Sequence, residues 1–193
     1  MTVQPIFLVL PGYQGSGPEH WQSRWEAADP AFRRVEQADW DHPVLDDWLE
    51  TLDRATAAQQ GPVVLVAHSL GCVLVAHWAA ERAERARQSG QAVIGALLVA
   101  PADIERAGVA ELENFCPVPL KALPFPSIVV AASDDPWCTP ERARHFADAW
   151  DARLVEAGPL GHINSDSGLG DWPAGRELLA QLRTAAEGRP EQV

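Results

Sequence analysis

A serine between small residues is the clearest chemical signal in this sequence. It lies in the segment Ala67-His68-Ser69-Leu70-Gly71, after an apolar run over 62–67 and before a helical pattern that begins at Leu70. A serine at a sharp turn from strand to helix is exposed as a nucleophile, and its neighbours two residues away must be small because the strand and helix approach closely. Alanine at the first of these positions, where glycine is usual, still meets that requirement. The pattern predicts a nucleophile elbow; the alternative is that Ser69 only caps the helix.

A serine hydroxyl needs a general base to become a nucleophile, and the base needs a carboxylate to orient it. His162 follows the last predicted strand, on a loop that contains glycine, and Asp134 and Asp135 follow an earlier predicted strand. Each of these residues follows its own predicted strand, and the carboxyl ends of parallel strands lie at the same edge of a sheet. We predict Ser69, Asp135 and His162 as a catalytic triad, with Asp134 as the competing acid. An ordinary role at the end of a strand is the alternative for Asp135.

The five remaining histidines are weaker candidates for the base. His20, His42, His77 and His145 lie in helical or loop contexts, where a surface or half-buried role is expected. His68 adjoins the serine, but its position at the elbow directs it away from the place that the base must occupy.

Two backbone amides are candidates for stabilising an oxyanion. One is the N–H of Leu70, which directly follows the nucleophile at the start of a helix. The other lies in the loop Pro11-Gly12-Tyr13-Gln14 after the first strand; we favour Tyr13 and leave Gln14 open. An ordinary glycine turn is the alternative, and neither GxGxxG nor GxxxxGK[ST] is present to favour phosphate binding. Trp21, Phe115, Leu123 and Trp137 are candidate walls of a substrate pocket, with a role in the core as the alternative.

Apolar runs alternate with stretches of helical periodicity, which indicates a mostly parallel sheet flanked by helices. The predicted strands are 6–10, 32–37, 62–67, 92–100, 127–132 and 153–157, and the predicted helices are 21–28, 44–60, 70–88, 140–151 and 173–187. Residues 101–126 contain five prolines and a helical piece near 109–115, so we predict a short rim or lid there. We expect one domain over 1–193 with a frayed tail at 188–193.

Composition excludes several classes of function. The chain has 193 residues with 15 basic and 27 acidic side chains, a net charge of −12, which disfavours nucleic acids and anionic membranes as partners. Its three cysteines form no metal-binding or disulfide pattern. The first residues lack the features of a signal peptide or a membrane span, so a cytoplasmic location is the expectation.

Four motifs together carry a likeness to a known group of proteins. They are LPGYQGSGPEHW (10–21), AHSLGC (67–72), SDDPW (133–137) and GHIN (161–164). The chain resembles the small α/β-hydrolases of the YdeN and retinoblastoma-binding-protein-9 group, over about residues 5–185. The resemblance implies an α/β-hydrolase fold without a large cap domain, a Ser-Asp-His triad with Asp135 as the acid, and no cofactor. It also implies small carboxylester or related acyl substrates.

Two other functions fit the same sequence. One is a non-catalytic protein-interaction module on a hydrolase shell, and the other is an acyltransferase that uses the same triad. The retinoblastoma-binding motif LxCxE is absent, so no protein partner follows from the resemblance.

Overall fold

Short apolar segments form a parallel sheet at the centre of the molecule. The structure is a computed structural model that describes residues 4–88, 90 and 93–187. Its strands are β1 (Ile6–Leu10), β2 (Phe32–Arg34), β3 (Val63–His68), β4 (Val93–Val99), β5 (Ser127–Ala131) and β6 (Arg153–Glu156). Adjacent strands pair in parallel in the order β2-β1-β3-β4-β5-β6. The prediction of a parallel sheet is confirmed.

Helices cover both faces of this sheet. They are α1 (Trp21–Ala28), α2 (Leu45–Ala57), α3 (Leu70–Glu81), α4 (Ala83–Gln88), α5 (Ile104–Ala107), α6 (Pro140–Ala149) and α7 (Pro173–Glu187), with 3₁₀ turns at Ala110–Phe115 and Ser165–Ser167. Alternate strand residues face opposite sides: Leu65 packs in the core with α2, α3 and α6, whereas Val64 packs in the core with α1 and α7. Because both faces are buried, the inner strands are apolar almost throughout.

Several predicted elements differ from the structure. β2 ends at Arg34 instead of residue 37, and its pairing with β1 runs from Phe7 beside Phe32 to Val9 beside Arg34. The helix predicted over 70–88 is divided at Arg82, whose guanidinium pairs with Asp53 at 2.8 Å. Within the predicted rim, α5 was not expected. The predicted tail, 188–193, lies outside the described residues.

The strand order creates a crevice at the carboxyl ends of β1 and β3. The chain leaves β1 toward β2 on one side and returns to β3 on the other, and ligands of open α/β sheets bind at such a switch point. The loops after β5 and β6 leave from the same edge because all the strands are parallel. The four loops that carry the predicted site residues therefore share one edge. No helix within the described ranges has both the length and the apolar character needed to cross a bilayer.

Candidate active site

Ser69 occupies a strained turn between β3 and α3. Its backbone has φ 55° and ψ −120°, a combination that suits glycine and is unfavourable for serine. The turn brings α3 against the end of β1, and a Cβ on Gly71 would collide with the carbonyl oxygen of Leu10. The Ser69 side chain makes no capping bond to α3, contrary to the alternative that it serves only as a cap. Its hydroxyl is instead free to face the loops of the crevice.

A continuous set of hydrogen bonds joins the predicted nucleophile, base and acid. The Ser69 hydroxyl lies 2.9 Å from Nε2 of His162, and Nδ1 of His162 lies 2.9 and 3.0 Å from the two carboxylate oxygens of Asp135. The Asp135 side chain is only 2% exposed and that of His162 is 10% exposed. A neutral imidazole that donates from Nδ1 to the carboxylate presents the lone pair of Nε2 to the serine.

The two neighbouring aspartates have different partners. Asp135 accepts a hydrogen bond from the backbone N–H of Trp137 at 2.9 Å while it contacts His162. Asp134 accepts from the backbone N–H of Gly161 at 2.8 Å and so braces the loop that carries the histidine. Only the second aspartate reaches the imidazole.

The loop after β1 lies close to the serine. A Cβ on Gly12 would lie 2.7 Å from Cβ of Ser69 and 3.1 Å from the backbone nitrogen of Leu70, so only glycine leaves space between this loop and the elbow. The N–H of Gln14 donates to the carbonyl of Trp40 at 2.9 Å. The amide of Gln14 is therefore already bonded, although both Tyr13 and Gln14 line the cleft beside Ser69.

Two further histidines, for which the sequence suggested surface or remote roles, lie beside the triad. His20 and His68 are 3% and 5% exposed, and both line the cleft. Desolvation by burial, with smaller effects of Arg34 and His162, lowers the pKa of His20 to about 4. Burial, followed by the nearby His20 and His162, holds the pKa of His68 well below its usual value. Both rings are therefore neutral near pH 7. The EHW segment in the resemblance was the only sequence signal for His20.

The cleft at this site is small and has mixed polarity. Its volume is about 220 Å³. The lining comprises Tyr13, Gln14, Gly15, Gly17, His20, His68, Ser69, Leu70, Ala102, Leu112, Trp137, His162, Asn164 and Ser165. Trp137 also borders a neighbouring cavity of about 470 Å³ that contains Asp103 and Arg106. Trp137 is thus common to the linings of both spaces.

Of the four predicted pocket walls, one lines the cleft and three pack in the hydrophobic cores. Trp137 lines the cleft, whereas the side chains of Trp21, Phe115 and Leu123 are 1%, 0% and 8% exposed and pack in the hydrophobic cores. The predicted rim instead contributes Leu112 and Ala102 to the cleft. Leu112 and Phe115 lie on the same 3₁₀ turn and in the same hydrophobic core, and Leu112 also lines the cleft.

Other nucleophiles and metal ligands are poorly placed. Burial raises the pKa of the Cys72 thiol well above its usual value, and burial with Asp135 and Asp103 raises that of Cys138 to about 12. Both thiols are therefore protonated and unreactive near neutral pH. Among the described residues, no group of three or more histidine, cysteine or acidic side chains is arranged to hold a metal ion.

Comparisons with known proteins agree with this architecture. A solved YdeN-like hydrolase from Pectobacterium atrosepticum is 32% identical, with a TM-score of 0.81, and the match covers 95% of this chain and 92% of that one. The ydeN gene product of B. subtilis is 21% identical over 94% of this chain and 100% of its own, with a TM-score of 0.71. Esterase 2 of Thermogutta terrifontis, 16% identical over 99% and 87% of the two chains, has a TM-score of 0.70. No curated protein matches the chain.

The parallel sheet, its flanking helices and these structural matches define an α/β-hydrolase fold without a large cap domain. The model of the serine hydrolase family matches residues 7–181, and the chain belongs to that family. The resemblance to YdeN-like hydrolases is confirmed, and hydrolase activity is supported.

Proposed function

We propose that this protein hydrolyses carboxylic esters of small acyl substrates through an acyl-enzyme on Ser69. The proposal rests on the hydrogen-bonded contacts that join Asp135 to His162 and His162 to Ser69, with the serine at the apex of a strained elbow. Nucleophile–base and base–carboxylate contacts of this kind are the geometric requirement for activating a serine.

The mechanism follows from the atoms in contact. Nε2 of His162 accepts the proton of the Ser69 hydroxyl while Oγ attacks the substrate carbonyl, and Asp135 holds the proton on Nδ1 and stabilises the imidazolium. The imidazolium then protonates the leaving alcohol as the C–O bond breaks. Water attacks the acyl-enzyme with the same histidine as base, releasing the carboxylic acid and restoring the serine.

Backbone amides supply the oxyanion donors in this proposal. The N–H of Leu70 lies at the first residue of the 12-residue helix α3, where the helix dipole favours negative charge. We assign the second donor to Tyr13, since the N–H of Gln14 already donates to Trp40. Donors that are fixed before the reaction stabilise the developing charge without reorganisation.

The cleft favours short substrates. Its volume of about 220 Å³ is below the roughly 300–1,000 Å³ of pockets for drug-sized ligands. Apolar side chains such as Leu112 and Trp137 suit a short acyl chain, and the nearby histidines are neutral. We therefore expect acetate and butyrate esters to be better substrates than octanoate esters.

Hydrolysis of p-nitrophenyl acetate by wild type and Ser69→Ala tests the proposal. The substitution is expected to lower kcat by about 10⁶-fold, because the triad acts as a unit. Ser127→Ala is the matched control, since Ser127 is similarly buried at 6% exposed and its hydroxyl donates to the carbonyl of Phe125. Undiminished activity in Ser69→Ala would refute the assignment.

Two further measurements separate the proposal from its alternatives. An interaction module without catalytic function would leave Ser69 unlabelled by a fluorophosphonate probe, whereas the proposed enzyme is labelled at that residue. An acyltransferase would divert most of the acyl group to an added alcohol, and a hydrolase would release mostly free acid.

A further inference from the structure

The loop that carries His162 has a strained backbone, which contacts from other elements must hold in place. Gly161 and Ile163 have φ values of 57° and 47°, so left-handed residues flank His162 on both sides. Ile163 is β-branched and completely buried, and this conformation is rare and strained for such a residue. Strained backbone persists only where surrounding contacts hold it in place.

Two buried side chains from other elements donate to consecutive carbonyl groups of this loop. Nε2 of His68, at the end of β3, lies 2.8 Å from the carbonyl oxygen of His162. Nε1 of Trp21, in the first turn of α1, donates to the carbonyl of Ile163 at 2.9 Å. Their side chains are 5% and 1% exposed, so water does not replace either bond readily.

These two contacts hold a part of the loop that the neighbouring aspartates do not reach. Asp135 bonds to the imidazole and Asp134 bonds to the N–H of Gly161, but neither holds the backbone after His162. His68 precedes Ser69 directly in the chain. Its bond therefore links the nucleophile's own strand to the backbone of the base.

We infer that His68 and Trp21 are positioning residues that set the location of the His162 imidazole relative to the Ser69 hydroxyl. The inference rests on the proposed function and extends it to residues that touch neither substrate nor reacting atoms. Loss of either donor leaves a buried carbonyl without its partner and lets the strained backbone relax. A displacement of the base by about 1 Å is enough to lower turnover about 10²-fold.

The chain contains a matched control for each residue. His77 is 6% exposed and makes the same kind of bond, 2.8 Å from its Nε2 to the carbonyl of Phe115, away from the triad. Trp25 is 1% exposed, lies on the same helix as Trp21, and donates from Nε1 to the carbonyl of Asp171 at 2.7 Å. The substitutions to compare are His68→Leu with His77→Leu, and Trp21→Phe with Trp25→Phe.

We expect His68→Leu and Trp21→Phe to lower kcat on p-nitrophenyl acetate by about 10- to 100-fold, with KM within about threefold of wild type. The two controls keep kcat within about twofold, although they lose similar thermal stability. His68→Gln restores most of kcat, because its amide nitrogen reaches the position of the imidazole Nε2. If kcat in His68→Leu and Trp21→Phe falls no further than in the controls, the inference is wrong.

A second measurement separates this inference from the proposed function. The proton on Nδ1 of His162, bonded to Asp135, gives a downfield resonance that reports its geometry without substrate. That resonance should shift or broaden in His68→Leu and Trp21→Phe and stay unchanged in the controls. An inactive wild type would refute the proposed function, and the resonance would still decide the positioning: an unchanged signal in all four variants overturns it.

Discussion

His20 makes the stability of the folded protein sensitive to acid. It is the N-cap of α1, where Nδ1 accepts a hydrogen bond from the N–H of Gln22 at 3.2 Å, and its Nε2 is buried without a hydrogen-bond partner. Desolvation first, then the electrostatic effects of Arg34 and His162, lowers its pKa from 6.5 to about 4. The folded protein therefore resists a proton that the unfolded chain accepts.

The direction and size of the effect follow from linkage. Between pH 6.5 and about 4 the unfolded chain binds more protons at His20, so the free energy of unfolding falls as the pH falls. At about 1.4 kcal/mol per pH unit, a window of about 2.5 units corresponds to about 3 kcal/mol. His68 acts in the same direction, because burial also lowers its pKa. The contribution of His20 is fully present above pH 6.5.

His20→Asn isolates this contribution. Asparagine keeps an N-cap acceptor for the first turn of α1 but does not titrate. Urea unfolding at pH 7, 6, 5 and 4 should show that the variant loses about 3 kcal/mol less stability than wild type over this range. His42→Asn is the control, because the His42 side chain is 77% exposed and its variant should follow wild type. Equal losses in His20→Asn and wild type would refute the reasoning.

Three further substitutions test the elbow and the cleft. Gly12→Ala crowds Ser69 and should lower kcat on p-nitrophenyl acetate by about 10²-fold; a rate equal to that of wild type would contradict the close approach. Ser69→Gly should melt about 2–4 °C above Ser69→Ala in calorimetry, since glycine tolerates φ 55°; a lower melting temperature would argue against strain. Trp137→Ala removes a side chain from a residue that lines both cavities and should raise kcat/KM for octanoate relative to acetate esters about tenfold; an unchanged ratio would show that Trp137 does not limit the length of the acyl chain.

Much of the fold was predictable because the relevant signals are local. The buried strand over Val63–His68 reads as an unbroken apolar run, and α7 begins at a proline that suits the first position of a helix. The edge strand β2, which pairs with β1, was predicted too long, since the length of an edge strand depends on the strand beside it. The division of the helix at Arg82 coincides with an ion pair to Asp53, which is distant in the chain.

Some features of the site could be predicted from neighbouring residues in the sequence, and others depend on contacts between distant parts of the chain. The elbow around Ser69 depends on residue sizes within five positions, and the order of Asp135 and His162 after their strands is visible in the sequence. The placement of Trp21 was not predictable, because its indole N–H finds the carbonyl of Ile163, 142 residues away. His20 shows the same limit, since its low pKa arises from burial under other elements.

The sequence by itself determined which residue types stand at the carboxyl ends of which strands, because strand periodicity and turn residues are encoded locally. Tertiary structure alone decided which aromatic side chain borders the cleft and which histidines lie buried beside Ser69 and His162. The physical reason is that hydrogen bonds of about 3 Å and the loss of water around a side chain depend on the packing of segments far apart in the chain. Residue spacing brings candidates to one edge of the sheet, and packing selects among them.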